Sequence, residues 1–390
     1  MSQSFDVIIV GGGLVGASLA LALKPAGLSV AIVEAQPSKP IPPDDSWDSR
    51  VYAISPGSAA FLESCGAWQG VPQERITQVE AMRIYGDAAD ACLDFSAYDA
   101  GLRELAFIVE NRLLQNAAWQ CLQHAAHVRL FCPARCATVD WSDDCARLLL
   151  EDRTELTAKL IVGADGADSW LRAQAAIGIK PRDYGQLGVV ANFSAEKPHR
   201  GVAYQWFLRE GILALLPLPD NRVSMVWSTA EPHGRMLLTL AARELASEVA
   251  SASHHAVGAL HLITPPAAFP LRIQRVDNIV KSRVALVGDA AHNVHPLAGQ
   301  GVNLGFRDAR ELAAVLLDRG AQADCGDYAL LRRYERARKE DIAALQFTTD
   351  ALQKLFNNDA VWLTGARNLG LKLVNRQPQL KNMLVRQAVA

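Results

Sequence analysis

The chain has 390 residues, of which half are hydrophobic and 21% charged, and its 39 basic and 41 acidic residues nearly cancel. This composition excludes a disordered chain, and the charge balance gives no general attraction to nucleic acid or anionic lipid. No segment reaches the ~18 consecutive apolar residues of a membrane-spanning helix, and no basic leader precedes the first apolar stretch. Seven cysteines without a C-x-x-C pair are typical of a reducing compartment, so we expect a cytoplasmic protein.

The first predicted element is an apolar, β-branched stretch at residues 6–10, which is typical of a buried parallel strand. A glycine-rich turn follows and leads into a predicted helix at residues 15–25. The glycines allow a tight turn, a close approach of the backbone to a pyrophosphate, and close helix–strand packing. Free N–H groups at the start of the helix then face the phosphates. The predicted contacts are Gly11, Gly13, Leu14, Val15 and Gly16.

A second apolar strand, at residues 29–33, ends at an acidic residue. Glu34 follows Gly16 by 18 residues (34 − 16), close to the ~20 expected for the acid that binds the adenosine ribose. We predict that Glu34 and the adjacent Ala35 contact this ribose, and a carboxylate there disfavours a 2′-phosphate. The sequence therefore predicts a site for an ADP-containing dinucleotide.

Beyond a predicted loop at residues 37–48, helical and strand patterns alternate. A helix is predicted at residues 109–123, and strands at 128–131, 136–140 and 160–163. The last of these strands leads into a second glycine turn, Gly163-Ala-Asp-Gly166.

From residue 183 to residue 276 the pattern changes to alternating strands, which is typical of an antiparallel sheet with one buried face. The clearest of these predicted strands are 202–209, 212–217 and 223–228. A buried strand at 283–287 then meets Gly288-Asp289, and a helix is predicted at 304–317. The remainder of the chain is predicted to be helical.

The three strand-to-turn junctions together resemble the class A flavoprotein monooxygenases, the aromatic hydroxylases of the p-hydroxybenzoate hydroxylase type. The resemblance covers nearly the whole chain. Residues 163–166, followed by Ser169-Trp-Leu-Arg172, resemble the Asp-Gly motif of that family. Residues 287–292, with His295-Pro296, resemble its second FAD motif. The resemblance implies that the chain binds FAD as its cofactor.

The resemblance also implies roles for individual residues. Asp165 lies between FAD and the incoming nicotinamide, and Asp289, next to Gly288, binds the ribityl hydroxyls. Arg50 contacts the pyrophosphate, Arg112 lies along the flavin chain, and the backbone near Cys136 borders the adenine.

The segment from Pro296 to Asn303 carries a further cofactor prediction. Its glycines allow the backbone to lie flat against a ring, and the start of the following helix places partial positive charge near reduced flavin. The side chain of Asn303 is a candidate hydrogen-bonding group. An ordinary glycine-containing helix start is the alternative. The predicted contacts are Pro296, Gly299, Gly301, Val302 and Asn303.

Strand pattern and resemblance together predict an α/β fold with a Rossmann-like FAD-binding domain at residues 1–182 and 277–320. We expect an inserted, mainly antiparallel β-sheet substrate domain at 183–276 and a helical C-terminal region at 321–390. Leu213, Leu215, Leu216 and Phe269 are candidates either for the substrate channel or for the core. For Trp206 and Trp227 core packing is the favoured interpretation.

Within this class the chain is most similar to the ubiquinone-biosynthesis hydroxylases (UbiH/UbiF/VisC-like family), on residues 48–54, 108–111, 213–228 and 288–308. The resemblance implies that NAD(P)H reduces FAD and that dioxygen forms a flavin C4a-hydroperoxide, which hydroxylates an aromatic ring, here a polyprenylated phenol. NAD(P)H is expected as a transient co-substrate, because the sequence has one G-x-G-x-x-G motif. The residues indicate no catalytic acid or base, and His292 and His295 lack a third metal ligand.

Other functions stay open from the residues alone. One is a related FAD monooxygenase that acts on a small soluble aromatic compound, and another is a non-catalytic FAD-binding subunit of a quinone-biosynthesis complex. A disulfide reductase and a halogenase are excluded, because the cysteine pair and the Trp-x-Trp motif are absent. The basic tail from residue 363 onward either contacts the inner face of a membrane or a partner, or packs on the protein. A homo-oligomer is compatible with the sequence.

Overall fold

A computed structural model of the chain describes residues 3–42, 44–86, 92–293, 301–320 and 323–356. Pro296, Gly299, His295 and the basic tail lie outside these residues. The strands are β1 Gln3–Val10, β2 Val30–Val33, β3 Val51–Ile54, β4 Thr77–Val79, β5 Ala81–Tyr85, β6 Cys92–Ser96, β7 Ala106–Glu110, β8 Val128–Phe131, β9 Cys136–Trp141, β10 Ala146–Leu150, β11 Glu155–Gly163, β12 Ile179–Ala195, β13 Val202–Leu208, β14 Gly211–Leu218, β15 Arg222–Ala230, β16 Leu260–Leu262, β17 Ala267–Val276, β18 Val280–Lys281, β19 Val284–Leu286 and β20 His292–Asn293. The α-helices are α1 Leu14–Ala22, α2 Pro56–Ser64, α3 Asn111–Gln123, α4 Trp170–Gln174, α5 Glu231–Thr239, α6 Ala242–Ala252, α7 Gly301–Leu317 and α8 Tyr328–Phe356.

The first sheet has the strand order β18-β19-β11-β1-β2-β8, with β10 and β9 attached to β11. Strands β1, β2, β8, β11 and β19 pair in parallel, and the carboxyl-terminal half of β1 and all of β2 are buried. Apolar side chains on both faces explain this burial, because parallel sheets are covered by helices on each side. Helices α1, α3 and α7 supply buried side chains to the same hydrophobic core. The strand ends that carry the predicted cofactor residues therefore share one edge of this sheet.

The second sheet has the order β20-β17-β12-β15-β14-β13-β5-β6 and is antiparallel except at β13–β5. One of its faces packs against α5 and α6 and forms a separate hydrophobic core. Leu213, Leu215, Trp206 and Trp227 are all at most 2% exposed in this core. The substrate-channel interpretation of Leu213 and Leu215 is therefore wrong, whereas the core interpretation of both tryptophans is confirmed.

A small sheet, β3-β7-β4, lies between the two larger ones. Buried Val79 and Ile108 of this sheet share a cluster with Ala203 and Leu218 of the second sheet. The second face of the antiparallel sheet, opposite α5 and α6, therefore packs toward the small sheet and its strand β3. Strands β5 and β6 join the antiparallel sheet from residues 81–96, far ahead of residue 183, and the domain boundaries stay a prediction.

The predicted strands and helices agree with the structure in kind, but three helix ends are shifted, and helices α5 and α6 lie within the block predicted as alternating strands. Helix α7 begins at Gly301, three residues before its predicted start. Residues 106–110 form β7, so the helix predicted from residue 109 begins at Asn111. Helix α1 ends at Ala22, and a short 3-10 turn at Lys24–Ala26 contains Pro25, which cannot continue an α-helix. In the part of the chain that the structure describes, no helix is long and apolar enough to cross a membrane.

Candidate cofactor site

The glycine turn after β1 is shaped by close backbone contacts. Gly11 has φ +105°, and a Cβ atom there would lie 2.4 Å from the carbonyl oxygen of Ala164. A Cβ atom on Gly16 would lie 2.1 Å from the carbonyl oxygen of Gly11, whereas one on Gly13 would meet open space. The turn therefore packs against the second glycine motif on one side. Its other side, at the start of α1, is open to a ligand.

Helix α3 holds this turn from behind. Gln115 Nε2 and Trp119 Nε1 both donate hydrogen bonds to the carbonyl oxygen of Gly12, at 2.9 and 2.8 Å. Neither residue is among those predicted from the sequence. Their spacing from Arg112, by three and seven positions, places all three on one helix face and was the available sequence signal.

Glu34 closes the same turn at the end of β2. Its carboxylate accepts hydrogen bonds from Gly12 N at 2.7 Å and from Gln36 N at 2.9 Å. The carbonyl oxygen of Glu34 accepts a hydrogen bond from Ala134 N at 2.8 Å, and Ala134 lies just ahead of Cys136. The strand ends predicted to hold adenosine therefore lie side by side. Glu34 and Ala35 are only partly buried, as a ligand contact requires.

Burial, together with the nearby Asp165 carboxylate, raises the pKa of the Cys136 thiol to about 12. The thiol is therefore neutral at physiological pH, and any part it takes in adenine binding is by packing.

Asp165 of the second glycine motif holds the start of α4 by hydrogen bonds. Its carboxylate accepts hydrogen bonds from Ser169 Oγ at 2.5 Å and from Leu171 N at 3.0 Å. Ser169 Oγ accepts a hydrogen bond from Arg172 N at 3.0 Å, which confirms the predicted helix cap. The Asp165 carboxylate is thus used within the protein, while its backbone N–H lies beside Gly11. A contact of Asp165 with FAD stays a prediction.

The loop that carries Arg50 is held by a buried carboxylate that the sequence did not reveal. Glu110 has no exposed surface, and its Oε2 accepts a hydrogen bond from Asp48 N at 2.6 Å. Arg75 binds Glu110 through two nitrogens, at 2.9 and 2.6 Å. Arg112 Nη2 lies 3.2 Å from Glu110 Oε2. The charges of both arginines offset the cost of burying Glu110.

The guanidinium of Arg112 is directed at this loop. Its Nη1 donates to Ser46 Oγ at 3.1 Å, and its backbone N–H donates to Asp48 Oδ2 at 3.1 Å. Arg112 therefore orders the Arg50 loop, and its predicted position along the flavin chain stays a prediction.

Arg50 itself is exposed, with its guanidinium carbon 5.3 Å from the centre of the Tyr52 ring. Surrounding protein raises the pKa of the Asp289 carboxyl, and the charges of His292 and Arg50 partly oppose this. Asp289 nevertheless stays open to solvent, so it occupies a recess whose mouth is free. Arg50 is therefore close enough to Asp289 for their charges to interact.

Helix α7 begins at Gly301 and packs closely across α1, where a Cβ on Gly305 would lie 2.6 Å from Val15 Cγ2. Asn303 is fully buried; its Oδ1 accepts a hydrogen bond from Ser55 N at 2.9 Å, and its Nδ2 donates to Ala53 O at 2.8 Å. The side chain of Asn303 therefore ties α7 to β3, and a contact of Asn303 with the flavin stays a prediction.

A shallow groove of about 440 Å³ lies elsewhere, between the small sheet and the edge of the antiparallel sheet. Trp68, Ile76 and Phe107 line it, and none of the predicted cofactor residues does. It is therefore separate from the candidate site. Within the described residues, no group of three metal-ligating side chains occurs.

The residues along the sheet edge fit an extended dinucleotide. They comprise an acid at Glu34, the N–H groups at the start of α1, the cation of Arg50 and the acid of Asp289. These are groups suited to ribose hydroxyls, a pyrophosphate and further hydroxyls. Open space beside Gly13 leaves room for the phosphates. Fold and site therefore define a protein of the dinucleotide-binding, doubly wound α/β class.

Comparison with known proteins identifies the family. The FAD binding domain family matches residues 4–348, and the chain belongs to it. The chain is 35% identical to 3-demethoxyubiquinol 3-hydroxylase of Escherichia coli (strain K12), over 100% of this chain and 99% of that protein. It is 36% identical to ubiquinone hydroxylase UbiL of Rhodospirillum rubrum, over 98% of this chain and 89% of that protein. The predicted similarity to ubiquinone-biosynthesis hydroxylases is confirmed.

Solved structures show the same fold. The crystal structure of p-nitrophenol 4-monooxygenase PnpA from Pseudomonas putida superposes with a TM-score of 0.81 at 17% identity, covering 100% of this chain and 99% of that one. The probable FAD-dependent monooxygenase PqsL from Pseudomonas aeruginosa gives 0.78 at 23% identity, covering 95% and 100%. The predicted fold class is thereby confirmed. The chain is an FAD-dependent monooxygenase that uses NAD(P)H and dioxygen.

Proposed function

We propose that this monooxygenase hydroxylates the ring of a polyprenylated phenol, as a step of ubiquinone biosynthesis. The two relatives described above are named for ubiquinone or ubiquinol hydroxylation and match the chain over nearly its whole length. The observation that carries the proposal is the chemistry of the antiparallel sheet's second face.

Strand register defines that face. Gly188 pairs with Ser228 and Phe269, and Ser228 pairs with Ile212. The next row is Ala267, Val190, Val226, Ala214 and Gln205. These two rows contain no charged side chain, and Ile212, Ala214, Val226 and Phe269 keep part of their surface exposed. An uncharged, largely apolar face suits a neutral ring with an isoprenoid chain.

The same face is tied to the proposed cofactor site. Buried Asn192, one row further along, donates from Nδ2 to Asp48 O at 2.8 Å, in the loop that carries Arg50. A ring held on this face thus lies on the side of the sheet that meets the proposed cofactor residues. Bound FAD supplies hydride acceptance and oxygen activation. The sheet's residues position the substrate and exclude water, and Glu34, Arg50 and Asp289 hold the cofactor.

The test is NAD(P)H oxidation by the purified holoprotein, with product analysis, in the presence of a polyprenylated phenol or of the same phenol without its chain. We expect the prenylated compound to stimulate oxidation and to be recovered with one added oxygen atom. Ile212→Gln should raise KM for the prenylated phenol, whereas Tyr98→Ala, at a residue 90% exposed, should not. Equal or greater stimulation by the unprenylated phenol would contradict the proposed substrate.

We also propose that the enzyme works at the inner surface of a membrane, because a prenylated substrate partitions into lipid. The segment from residue 363 carries Arg367, Lys372, Arg376, Lys381 and Arg386 and no acidic residue. Replacing these five residues by Gln should abolish sedimentation of the full chain with vesicles that contain anionic lipid. Replacing Arg103, Arg153 and Arg243, which are exposed elsewhere, should leave sedimentation unchanged. Sedimentation that is independent of the tail charges would overturn this part of the proposal.

A further inference from the structure

We propose that Asp308 and Arg338 are positioning residues for FAD, and that they make helix α8 part of the cofactor site. They act by fixing the backbone of the corner that presents Asp289. This inference rests on the proposed role of Asp289 in binding the ribityl chain.

Asp308 is the centre of a buried network beneath that corner. It has no exposed surface, and its Oδ2 accepts a hydrogen bond from Gly288 N at 2.9 Å. His292 Nε2 lies 2.5 Å from the same oxygen, and Arg338 Nε donates to Oδ1 at 2.8 Å. A buried carboxylate is costly unless cations and donors surround it, so Asp308 depends on these partners. The network thus joins both flanks of Asp289 to α8.

Two further buried residues of helix α8 form hydrogen bonds with the segment that leads into this corner. Tyr334, which is fully buried, donates from its hydroxyl to Leu286 O at 2.9 Å. Glu335 Oε1 accepts a hydrogen bond from Ile279 N at 3.1 Å. One turn of α8 therefore holds the segment that enters the corner as well as the corner itself.

The corner is also fixed from its opposite side. Arg172, at the start of α4, donates from Nη1 to Ala290 O at 3.0 Å. Gly288, Ala290 and His292 are thus each held by a buried charged group, and Gly288 adopts φ +61°. Asp289 lies between them, and its side chain is exposed to solvent. An exposed acid between residues whose positions are fixed can be held accurately in place for a ligand, and Asp289 has this arrangement.

A double-mutant cycle tests the coupling. The variants are Arg338→Met, Asp289→Ala and the two combined, with Arg336→Met as the matched control on the exposed side of α8. FAD affinity is measured from the fluorescence of flavin released when the holoprotein is diluted. We expect Arg338→Met to weaken FAD binding about tenfold, as loss of an outer-shell partner does at metal sites, and Arg336→Met to have no effect.

The cycle separates positioning from general damage. In the Asp289→Ala background, Arg338→Met should weaken FAD binding by less than threefold, because the group that it positions is gone. An undiminished tenfold effect there, or no effect in the wild type, would overturn the positioning role. If Asp289→Ala alone leaves FAD affinity unchanged, the ribityl role of Asp289 fails and this inference falls with it, whereas the assignment as a monooxygenase is unaffected. Arg338→Lys, which keeps the charge, enters the same cycle should Arg338→Met not fold.

Discussion

The turn at Gly11–Gly16 and the corner at Gly288–Asp289 serve one edge of the same sheet but are built in different ways. The first is shaped by missing side chains, because backbone atoms of neighbouring segments occupy the space of a Cβ at Gly11 and Gly16. The second is shaped by charge, because Asp308, His292 and Arg338 hold its backbone from beneath. An added atom should strongly destabilise the closely packed turn. Loss of one charge should destabilise the charge network only in part.

The largest effect is expected at the packed turn. Gly16→Ala places a Cβ 2.1 Å from Gly11 O, and a backbone atom cannot move aside cheaply. We expect a loss of more than about 3 kcal/mol in unfolding free energy, or no soluble protein. Gly13→Ala is the matched control, because its Cβ meets open space. It should keep the fold and only weaken FAD binding; equal tolerance of both variants would break the comparison.

The next effect concerns Glu110, which supports the Arg50 loop by charge as Asp308 supports the Asp289 corner. Glu110→Gln removes the buried partner of Arg75 and Arg112 and should cost about 2–3 kcal/mol, since both arginines stay partly hydrated. Urea unfolding measures this cost. Glu63→Gln, on the exposed side of α2, should change it by less than about 0.5 kcal/mol.

A smaller effect, confined to ligand binding, is expected at Asp289. Asp289→Asn removes a carboxyl whose pKa the surrounding protein raises, so the folded protein should not be destabilised. FAD affinity should fall about tenfold, the low end for a hydrogen bond to a charged group. Flavin release from the diluted holoprotein measures the affinity, and thermal unfolding at saturating FAD measures stability. A variant that loses stability but binds FAD normally would assign Asp289 to the fold.

The smallest effect is a dependence on acid pH. Burial alone would raise the pKa of the Asp308 carboxyl, but the neighbouring charges of His292 and Arg338 lower it below its usual value. A carboxyl whose pKa is lowered on folding stabilises the protein fully above its usual pKa, near 4, and loses this contribution as the pH falls toward the lowered value. Asp308→Asn should therefore flatten the acid limb of the stability curve between pH 5 and pH 3. An unchanged acid limb would show that Asp308 does not titrate with folding.

The same contrast explains which features the sequence could reveal. Gly16 and Glu34 were predictable because a glycine turn and an acid 18 residues later are a local pattern with a physical reason. Glu110 and Asp308 were missed, since their partners lie far away: Asp48 is 62 residues from Glu110, and Arg338 is 30 from Asp308. In the sequence, a buried acid on a helix or strand cannot be distinguished from a surface acid, because its arginine partners are brought to it only by the fold.

The side chain of Asn303 illustrates the remaining limit. Its place at the start of α7 was predicted, but its partners Ala53 in β3 and Ser55 just after β3 lie about 250 residues away, so no local pattern could reveal these two hydrogen bonds. The alternation of side chains along the strand predicted that Leu213 and Leu216 lie on opposite faces of the sheet. Which of these faces packs against α5 and α6 depends on contacts between separate elements, so the sequence did not reveal it.

The central claim is that a single FAD molecule lies extended along the sheet edge, and a crystal structure of the holoprotein tests it most directly. We predict the adenosine ribose within hydrogen-bonding distance of Glu34, the pyrophosphate at the first turn of α1 beside Arg50, and the ribityl hydroxyls on Asp289. Density for FAD that leaves Glu34 or Asp289 without a contact would contradict this arrangement.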